Sequence, residues 1–367
     1  ARANMAKIHK VLDEMELVLD GLTRGLDLKV LDAGQNVQDG RPLSYVSLAN
    51  ALGAVLPSNS PGVHSLWLPA IPLKTPLVLK PGREEPWTPY RIAQAFIKAG
   101  CPPQALSFYP TDHGGGAEVL LRCQRALLFG GGATVDPWRA DPGVQIHGPG
   151  FSKVLIGADK LDQWEDYLDL MVTSIAANGG RSCINASSIW VPARGAEIAA
   201  ALGERLAQIQ ARPLDDPQAG IAAFTNPQMA HKISQIIDAQ LGEAEDVTAA
   251  TRGTARVAEA GGCTFLNPTL VRVPDSEHPL AKAEYLFPFA SLVEAPQEEW
   301  VKRMGPSLVV TAITEDVKLV QELLSSPHIE RLNLGPMPTN SVSWDQPHEG
   351  NLFDFLYRQR ALQTQVA

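Results

Sequence analysis

Short apolar runs alternate with amphipathic segments along most of this chain, and this alternation constrains the fold more than any other feature of the sequence. Candidate strands lie at residues 54–56, 77–79, 106–109 and 126–129, and a helix is predicted from Pro89 to Ala99. Strands that alternate with helices at this spacing indicate a parallel sheet covered on both faces. The sequence therefore predicts the α/β class, with a nucleotide-type domain in its first half.

The second half of the chain shows the same alternation of predicted strands and helices. Asp159 is predicted to cap a long helix that runs to about Ala177 and stops at Gly179 and Gly180. Apolar residues recur near the helical period at the front of the chain, so residues 5–32 are also predicted to be helical. Further strands are predicted at 154–156, 188–191, 270–273, 290–293 and 308–313, and further helices at 196–209 and 227–241. With 367 residues, the chain is long enough for two or three domains.

Composition excludes several classes of protein. The 31 basic residues against 40 acidic ones give a net charge of -9, so a general nucleic-acid binder is not expected. No apolar stretch reaches the ~18 residues of a membrane span. The four cysteines form no CxxC pair, which argues against a disulfide framework and a zinc site and favours a reducing, cytoplasmic compartment. The first residues read as the inside of a helix, so we expect a further stretch to precede Ala1.

Polar residues and glycines follow several predicted strands. Asn59 lies in the loop 57–61, Lys80 ends a strand, and three glycines fill positions 130–132. Ligands of open parallel sheets bind at these carboxyl ends. An Asn there can donate to a developing oxyanion, and a Lys can bind ribose hydroxyls or phosphate. The ordinary alternatives are a turn-forming Asn, an exposed charge and a simple glycine turn.

Cys183 is the strongest candidate for a catalytic residue. It follows Gly179 and Gly180 at the end of a long predicted helix and precedes an apolar strand. A nucleophilic cysteine needs access and a lowered pKa, and the glycines would allow a substrate to approach closely. The alternative is a small buried hydrophobe, which is what most cysteines are.

Six segments, taken in order, resemble motifs of the aldehyde dehydrogenase superfamily. They are VLPSNSP at 55–61, LVLKP at 77–81, FIKAGCPP at 96–103, LFGGGA at 128–133, NGGRSC at 178–183 and EYLFP at 284–288. The resemblance spans about residues 40 to 290, and it implies that the family's N-terminal stretch is shortened here. It implies a Rossmann-like NAD(P)-binding domain over 1–147, a catalytic cysteine domain over 148–339, and a C-terminal segment over 340–367 that serves oligomerisation.

The resemblance also implies roles for single residues. Cys183 would be the nucleophile, and Asn59 with the backbone N–H of Cys183 would form the oxyanion hole. Lys80 would hold the adenosine ribose of NAD or NADP, and Glu284 the ribose on the nicotinamide side. The glycines and the remaining motif positions would also contact the cofactor, namely Gly131, Gly132, Pro57 and Phe287.

Three positions depart from the family's pattern. His147 stands in VQIHGPG where hydrolytic members carry the Glu that activates water, so it is a candidate base or a loop His without a role. Arg83 replaces a Glu that favours NAD, and a cation there would suit the 2′-phosphate of NADP. Arg181 replaces the Gln before the nucleophile, where it would favour the thiolate or simply face solvent.

These features predict an oxidoreductase that acts on an aldehyde or an acyl thioester. The missing Glu favours coenzyme A as acyl acceptor, or the reverse reduction of an acyl-CoA. The alternatives are a hydrolytic aldehyde dehydrogenase and a catalytically silent relative that keeps cofactor binding. The apolar tail, with Val342, Trp344, Phe353, Phe355, Leu356 and Tyr357, predicts a homodimer or homotetramer, because a monomer would leave a patch exposed.

Overall fold

A parallel sheet forms the centre of each of the two units into which the chain divides. The computed structural model describes residues 2–363. Unit 1 comprises the chain up to Gly148 together with the segment from Ser343 onward, and unit 2 comprises Pro149–Val342. The predicted α/β class with parallel-sheet cores is confirmed. Within the described residues, no helix is long and apolar enough to cross a membrane.

Unit 1 begins with three helices instead of one continuous helical stretch. They are α1 (Arg2–Asp13), α2 (Met15–Thr23) and α3 (Val30–Ala33). The prediction over 5–32 is therefore wrong in its continuity. Arg24 takes a left-handed conformation with φ +56°, and its N–H donates to the carbonyl of Asp20, which ends α2. A residue in this conformation cannot continue a right-handed helix.

The main sheet of unit 1 is five-stranded and parallel, in the order β5-β4-β3-β6-β7. The strands of this part of the chain are β1 (Gln35–Gln38), β2 (Arg41–Ser47), β3 (Leu52–Val55), β4 (Leu77–Lys80), β5 (Leu106–Phe108), β6 (Arg125–Phe129) and β7 (Val144–His147). The helices are α4 (His64–Trp67), α5 (Trp87–Lys98), α6 (His113–Arg122) and α7 (Gly132–Val135). The four strands predicted here are confirmed, whereas β1, β2 and β7 were not predicted.

Unit 2 contains a seven-stranded sheet in the order β10-β13-β14-β9-β8-β15-β16. Strand β10 pairs antiparallel with β13, and the other neighbours are parallel. Its strands, with the hairpin β11–β12, are β8 (Ser152–Ile156), β9 (Ala186–Val191), β10 (Glu245–Asp246), β11 (Val257–Ala260), β12 (Cys263–Leu266), β13 (Thr269–Arg272), β14 (Phe289–Glu294), β15 (Ser307–Ile313) and β16 (Ile329–Leu334). Its helices are α8 (Leu168–Ala176), α9 (Gly195–Ala207), α10 (Pro227–Gln240), α11 (Val247–Arg252), α12 (Trp300–Arg303) and α13 (Val317–Leu324).

Asp159 does not cap a long helix as predicted. A 3₁₀ segment spans Ala158–Tyr167, and α8 follows it. The Asp159 carboxylate accepts hydrogen bonds from the Thr314 hydroxyl and the Glu315 N–H, both at 2.7 Å. Asp159 therefore fixes the turn that follows β15.

The C-terminal tail, from Ser343 onward, belongs to unit 1 and packs into its core. Helix α14 (Leu352–Leu356) leads into β17 (Tyr357–Arg360), which pairs antiparallel with β2 in a sheet of order β1-β2-β17. Phe353 is 2% exposed, Leu356 is 0% exposed, and the Tyr357 hydroxyl donates to the carbonyl of Leu73 at 2.6 Å. The expectation that a single chain leaves this patch exposed is therefore wrong. Self-association stays a prediction, but an exposed apolar tail no longer supports it.

Replacing a buried tail aromatic is expected to destabilise unit 1. Phe353→Ala should lower the free energy of unfolding by about 3 kcal/mol or more, because it leaves a cavity among buried apolar neighbours. Urea unfolding followed by circular dichroism measures the change. Gln359→Ala, an exposed position on β17, is the matched control and should leave the unfolding midpoint unchanged. Equal midpoints for the two variants would show that the tail adds nothing to the core.

Candidate active site

Cys183 lies in a short loop of unit 2 between a 3₁₀ turn, Ala177–Gly180, and β9. Gly179 and Gly180 both have φ +65°, which favours glycine. A Cβ at position 180 would collide with the backbone of Phe287 and Pro288. The group that approaches Gly180 closely is therefore the protein's own backbone, and the close approach of a substrate at this glycine pair stays a prediction.

Hydrogen bonds fix the backbone of Cys183. The Ser152 hydroxyl donates to the Cys183 carbonyl at 2.8 Å and accepts from the N–H of Val309 at 3.2 Å. On the other side, the N–H of Ser182 donates to the side-chain oxygen of Asn185 at 3.0 Å. The Cys183 side chain is half buried against Ile184, Leu308, Val309 and Val342. A thiol on so constrained a loop can act as a positioned nucleophile.

Glu284 supports the segment that packs against Cys183. Its carboxylate accepts from the N–H groups of Gly150 at 3.2 Å and Phe151 at 2.6 Å. Gly150 in turn lies so close to Cys183 that an added Cβ would collide with the Cys183 carbonyl oxygen. Burial raises the pKa of Glu284 to about 7, although these two N–H donors and the charge of Lys153 act in the opposite direction. The carboxylate predicted to bind a ribose is therefore engaged with the protein backbone.

Lys153 is the buried cation beside Glu284. Its ammonium donates to the Phe151 carbonyl at 2.5 Å and to the Ser307 hydroxyl at 2.9 Å. Burial lowers the pKa of Lys153 to about 7, and the charge of Glu284 opposes that shift. Phe287, a second predicted cofactor residue, is 3% exposed and packs in the core of unit 2 with Phe289 at a ring distance of 6.0 Å.

Unit 1 brings two predicted strand-end loops together. The Ser58 hydroxyl accepts from the N–H of Glu84 at 3.1 Å, which ties the loop 57–61 to the loop that follows Lys80. A Cβ at Gly82 would lie 2.6 Å from the backbone of Pro57, so the two loops are in contact. Pro57 and Asn59 are half buried, and Arg83 is exposed.

The carboxyl edge of this sheet has features that fit a nucleotide. Lys80 is 8% exposed at the end of β4; burial lowers the pKa of its ammonium and the charge of Asp112 opposes this shift. A Cβ at Gly131 would meet no atom within 4 Å, so the backbone there is open to a ligand. At Gly132, which begins α7, a Cβ would make an ordinary contact of 3.6 Å with Asp136. A buried cation and an open glycine turn suit a ribose and a pyrophosphate.

His147 forms a buried pair with a residue from the tail. Its Nδ1 is hydrogen-bonded to the Glu349 carboxylate, and its ring stacks on Phe129 at 4.4 Å and 12°. His147 is 5% exposed, and its Nε2 has no hydrogen-bond partner among the described residues. A carboxylate at Nδ1 fixes the tautomer and leaves Nε2 as the nitrogen that can accept a proton. Sequence reasoning missed Glu349 because 202 positions separate the two residues and no local motif surrounds it.

Arg331 is a second residue that sequence reasoning missed. It lies on β16 of unit 2, and its guanidinium donates to the carbonyl of Ser341 at 2.9 Å. Arg181, two residues before Cys183, donates to the carbonyl of Ala223 at 3.4 Å, and its influence on the thiol stays a prediction. No group of three or more potential metal ligands occurs within residues 2–363.

Sequence comparisons match this chain to one family of known proteins. The sequence profile of the Aldehyde dehydrogenase family matches residues 3–305. Geranial dehydrogenase of Castellaniella defragrans is 23% identical over 257 residues, which cover 68% of this chain and 52% of the relative. The chain thus spans about half the length of this curated relative.

Solved structures of low sequence identity share the fold. An NAD+ complex of aldehyde dehydrogenase from Bacillus cereus is 14% identical with a TM-score of 0.75, over 95% of this chain and 74% of that one. Succinate-semialdehyde dehydrogenase from Burkholderia pseudomallei is 17% identical with a TM-score of 0.73, over 97% and 77%. The aldehyde dehydrogenase KauB of Pseudomonas aeruginosa is 17% identical with a TM-score of 0.72, over 91% and 73%. Because the family profile covers most of the sequence, the chain belongs to the aldehyde dehydrogenase family.

Proposed function

We propose that this protein is an NAD(P)-dependent oxidoreductase that converts an aldehyde to an acyl group held covalently on Cys183. The observation that carries the proposal is the constrained, half-buried position of Cys183, in the segment that resembles the family's nucleophile motif. The curated relative named geranial dehydrogenase and the related NAD+ complex support an aldehyde substrate and a nicotinamide cofactor.

The chemistry begins at the thiolate of Cys183. The sulfur attacks the carbonyl carbon of the aldehyde, a C–S bond forms, and the carbonyl oxygen becomes an oxyanion. The N–H of Cys183 and the side chain of Asn59 are the proposed donors to that oxyanion. The fixed carbonyl of Cys183, held by Ser152 at 2.8 Å, keeps the neighbouring peptide groups from reorienting. Little reorganisation is then needed as the charge develops.

The carboxyl edge of the unit 1 sheet is the proposed cofactor site. Lys80 would hold the adenosine ribose, and the open backbone at Gly131 and Gly132 would accept the pyrophosphate. When bound, the nicotinamide supplies a hydride acceptor, and the thiohemiacetal carbon is oxidised to a thioester. Glu284 and Phe287 would act through the packing around Cys183, since both are engaged within unit 2.

Release of the acyl group distinguishes two candidate reactions. Water is a poor nucleophile and needs a positioned base, whereas a thiol brings its own nucleophilicity. We favour coenzyme A as acceptor because the segment 144–150 lacks a carboxylate. The pair His147–Glu349 supports a hydrolytic alternative as well, because a carboxylate-bound imidazole can accept a proton from water or from a thiol.

Cys183 is expected to be the only essential cysteine. Cys183→Ser should lower turnover by about 10³-fold or more, because the thiolate nucleophile is lost, while cofactor binding persists. Turnover is followed as NAD(P)H absorbance and binding as NADH fluorescence. Cys263→Ser is the matched control, because Cys263 is also half buried. A comparable loss in the control would contradict this assignment.

Loss of the His147–Glu349 pair should slow acyl release and spare acylation. With aldehyde alone, we expect a burst of NAD(P)H followed by slow turnover that coenzyme A accelerates. His147→Gln and Glu349→Gln should each keep the burst and reduce the steady rate by roughly 10²–10⁴-fold, the usual range for general-base help. Glu298→Gln, at an exposed glutamate, should change neither phase.

The products separate the candidate reactions. Thioester formation that requires coenzyme A supports the acylating reaction, whereas fast release of free acid, indifferent to coenzyme A, would favour hydrolysis. Inactivity under both conditions, with cofactor still bound, would favour a silent relative. If His147→Gln and Glu349→Gln both left the steady rate unchanged, the His147–Glu349 pair would have no part in acyl release.

Arg83 is expected to relax cofactor choice toward NADP. Its exposed side chain follows Lys80 by three residues, in the loop tied to Ser58. Arg83→Glu should lower the ratio of kcat/KM for NADP over NAD by about fivefold, since an exposed charge pair is worth about 1 kcal/mol. Arg91→Glu on α5 carries the same charge change at another exposed position and should leave the ratio unchanged. Strict use of NAD by the unmodified enzyme would contradict the prediction.

A further inference from the structure

Arg331 is connected to Cys183 through the sheet of unit 2. On β16, Arg331 pairs with Val309 of β15. Val309 packs in the same apolar cluster as Cys183, and its N–H donates to the Ser152 hydroxyl, which in turn donates to the Cys183 carbonyl. Strand pairing and this hydrogen-bonded bridge therefore bring the backbone of Arg331 to the nucleophile's loop.

A second connection places the guanidinium itself. It donates to the carbonyl of Ser341 at 2.9 Å, and the next residue, Val342, packs against the cluster that contains Cys183. The charge of a Cys183 thiolate acts on Arg331: burial lowers the pKa of this guanidinium, and Cys183 opposes the shift. The strand pairing with Val309 and the hydrogen bond to Ser341 therefore both place Arg331 next to the apolar cluster that contains Cys183.

Other charged groups around Cys183 have different partners. Glu284 accepts from the N–H groups of Gly150 and Phe151, and Lys153 donates to the Phe151 carbonyl and the Ser307 hydroxyl. These two side chains carry opposite charges and oppose each other's pKa shift. Arg181, on the nucleophile's own loop, donates to the carbonyl of Ala223. Burial lowers the pKa of the Arg331 guanidinium, and Cys183 opposes that shift.

We propose that Arg331 is a positioning residue that holds Cys183 as a thiolate at neutral pH. The guanidinium stays protonated at all working pH values, and its half-buried side chain weakens screening by solvent. A fixed cation beside a thiol favours the charged, nucleophilic form. The proposal rests on the proposed function of Cys183 as the nucleophile.

The pH dependence of alkylation tests this directly in the full chain. Iodoacetamide reacts with the thiolate, so its rate at Cys183, measured by mass spectrometry of the digested protein from pH 5 to 10, reports the ionised fraction. In Arg331→Gln, the midpoint of the Cys183 profile should move up by about one pH unit, which corresponds to ~1.4 kcal/mol. In Arg331→Lys, which keeps the charge, it should stay near that of the unmodified protein.

Internal controls separate charge from structure. Cys101, Cys123 and Cys263 are also half buried, and their profiles should not move. A purely structural role would change the plateau rate through access and leave the midpoint in place. Arg331→Met, which keeps the apolar stem, replaces Arg331→Gln should that variant not fold.

An unmoved midpoint in the uncharged variant would overturn the proposal, as would an equal shift in Arg331→Lys. The assay needs neither aldehyde nor cofactor, so its outcome is independent of the proposed reaction. If Cys183→Ser retained turnover, the proposed function would fail even though the alkylation midpoint still depended on Arg331.

Discussion

Burial of both faces of the two main sheets determines where charged and polar side chains of the candidate site can lie in this protein. In unit 2, successive residues of one strand enter different apolar clusters: Leu155 packs on one face, and Val154 and Ile156 pack on the other. In unit 1, Leu127 and Leu128 divide in the same way. A strand buried on both sides has no place for an unpaired charge along its length. Lys80, His147 and the loop of Cys183 therefore lie at strand ends or at the turns beside them.

Glu284 and Lys153 support the turn at Gly150 and Phe151, which packs against the loop of Cys183. Glu284 satisfies two backbone donors of the Gly150 turn, and Lys153 lies beside it as the compensating charge. Burying such a pair is costly unless its hydrogen bonds are complete. Here both side chains are hydrogen-bonded, so the turn that contacts Cys183 gains a fixed conformation. The motif around Glu284 therefore contributes to the shape of the surroundings of Cys183.

The tail completes unit 1 in two ways. Phe353 and Leu356 fill its core, and Glu349 reaches His147 at the end of β7. Both contacts come from the tail, so the packing of the tail into unit 1 also places the Glu349 carboxylate against the His147 ring. A carboxylate from a distant part of the chain thus lies at Nδ1 of the His147 imidazole. This arrangement motivates the tests of acyl release.

The sequence by itself determined the α/β class, most of the parallel strands and the family, because apolar periodicity and short motifs such as NGGRSC are local signals. The same local information identified Cys183 and Lys80 at strand-end turns. Tertiary structure alone decided the pair His147–Glu349, the hydrogen bond from Arg331 to Ser341 and the engagement of Glu284 with Gly150 and Phe151. It also decided that the tail aromatics are covered within unit 1. These outcomes depend on which distant segments meet after the sheets form, and side-chain periodicity reports the face of a strand but not the partner that covers it.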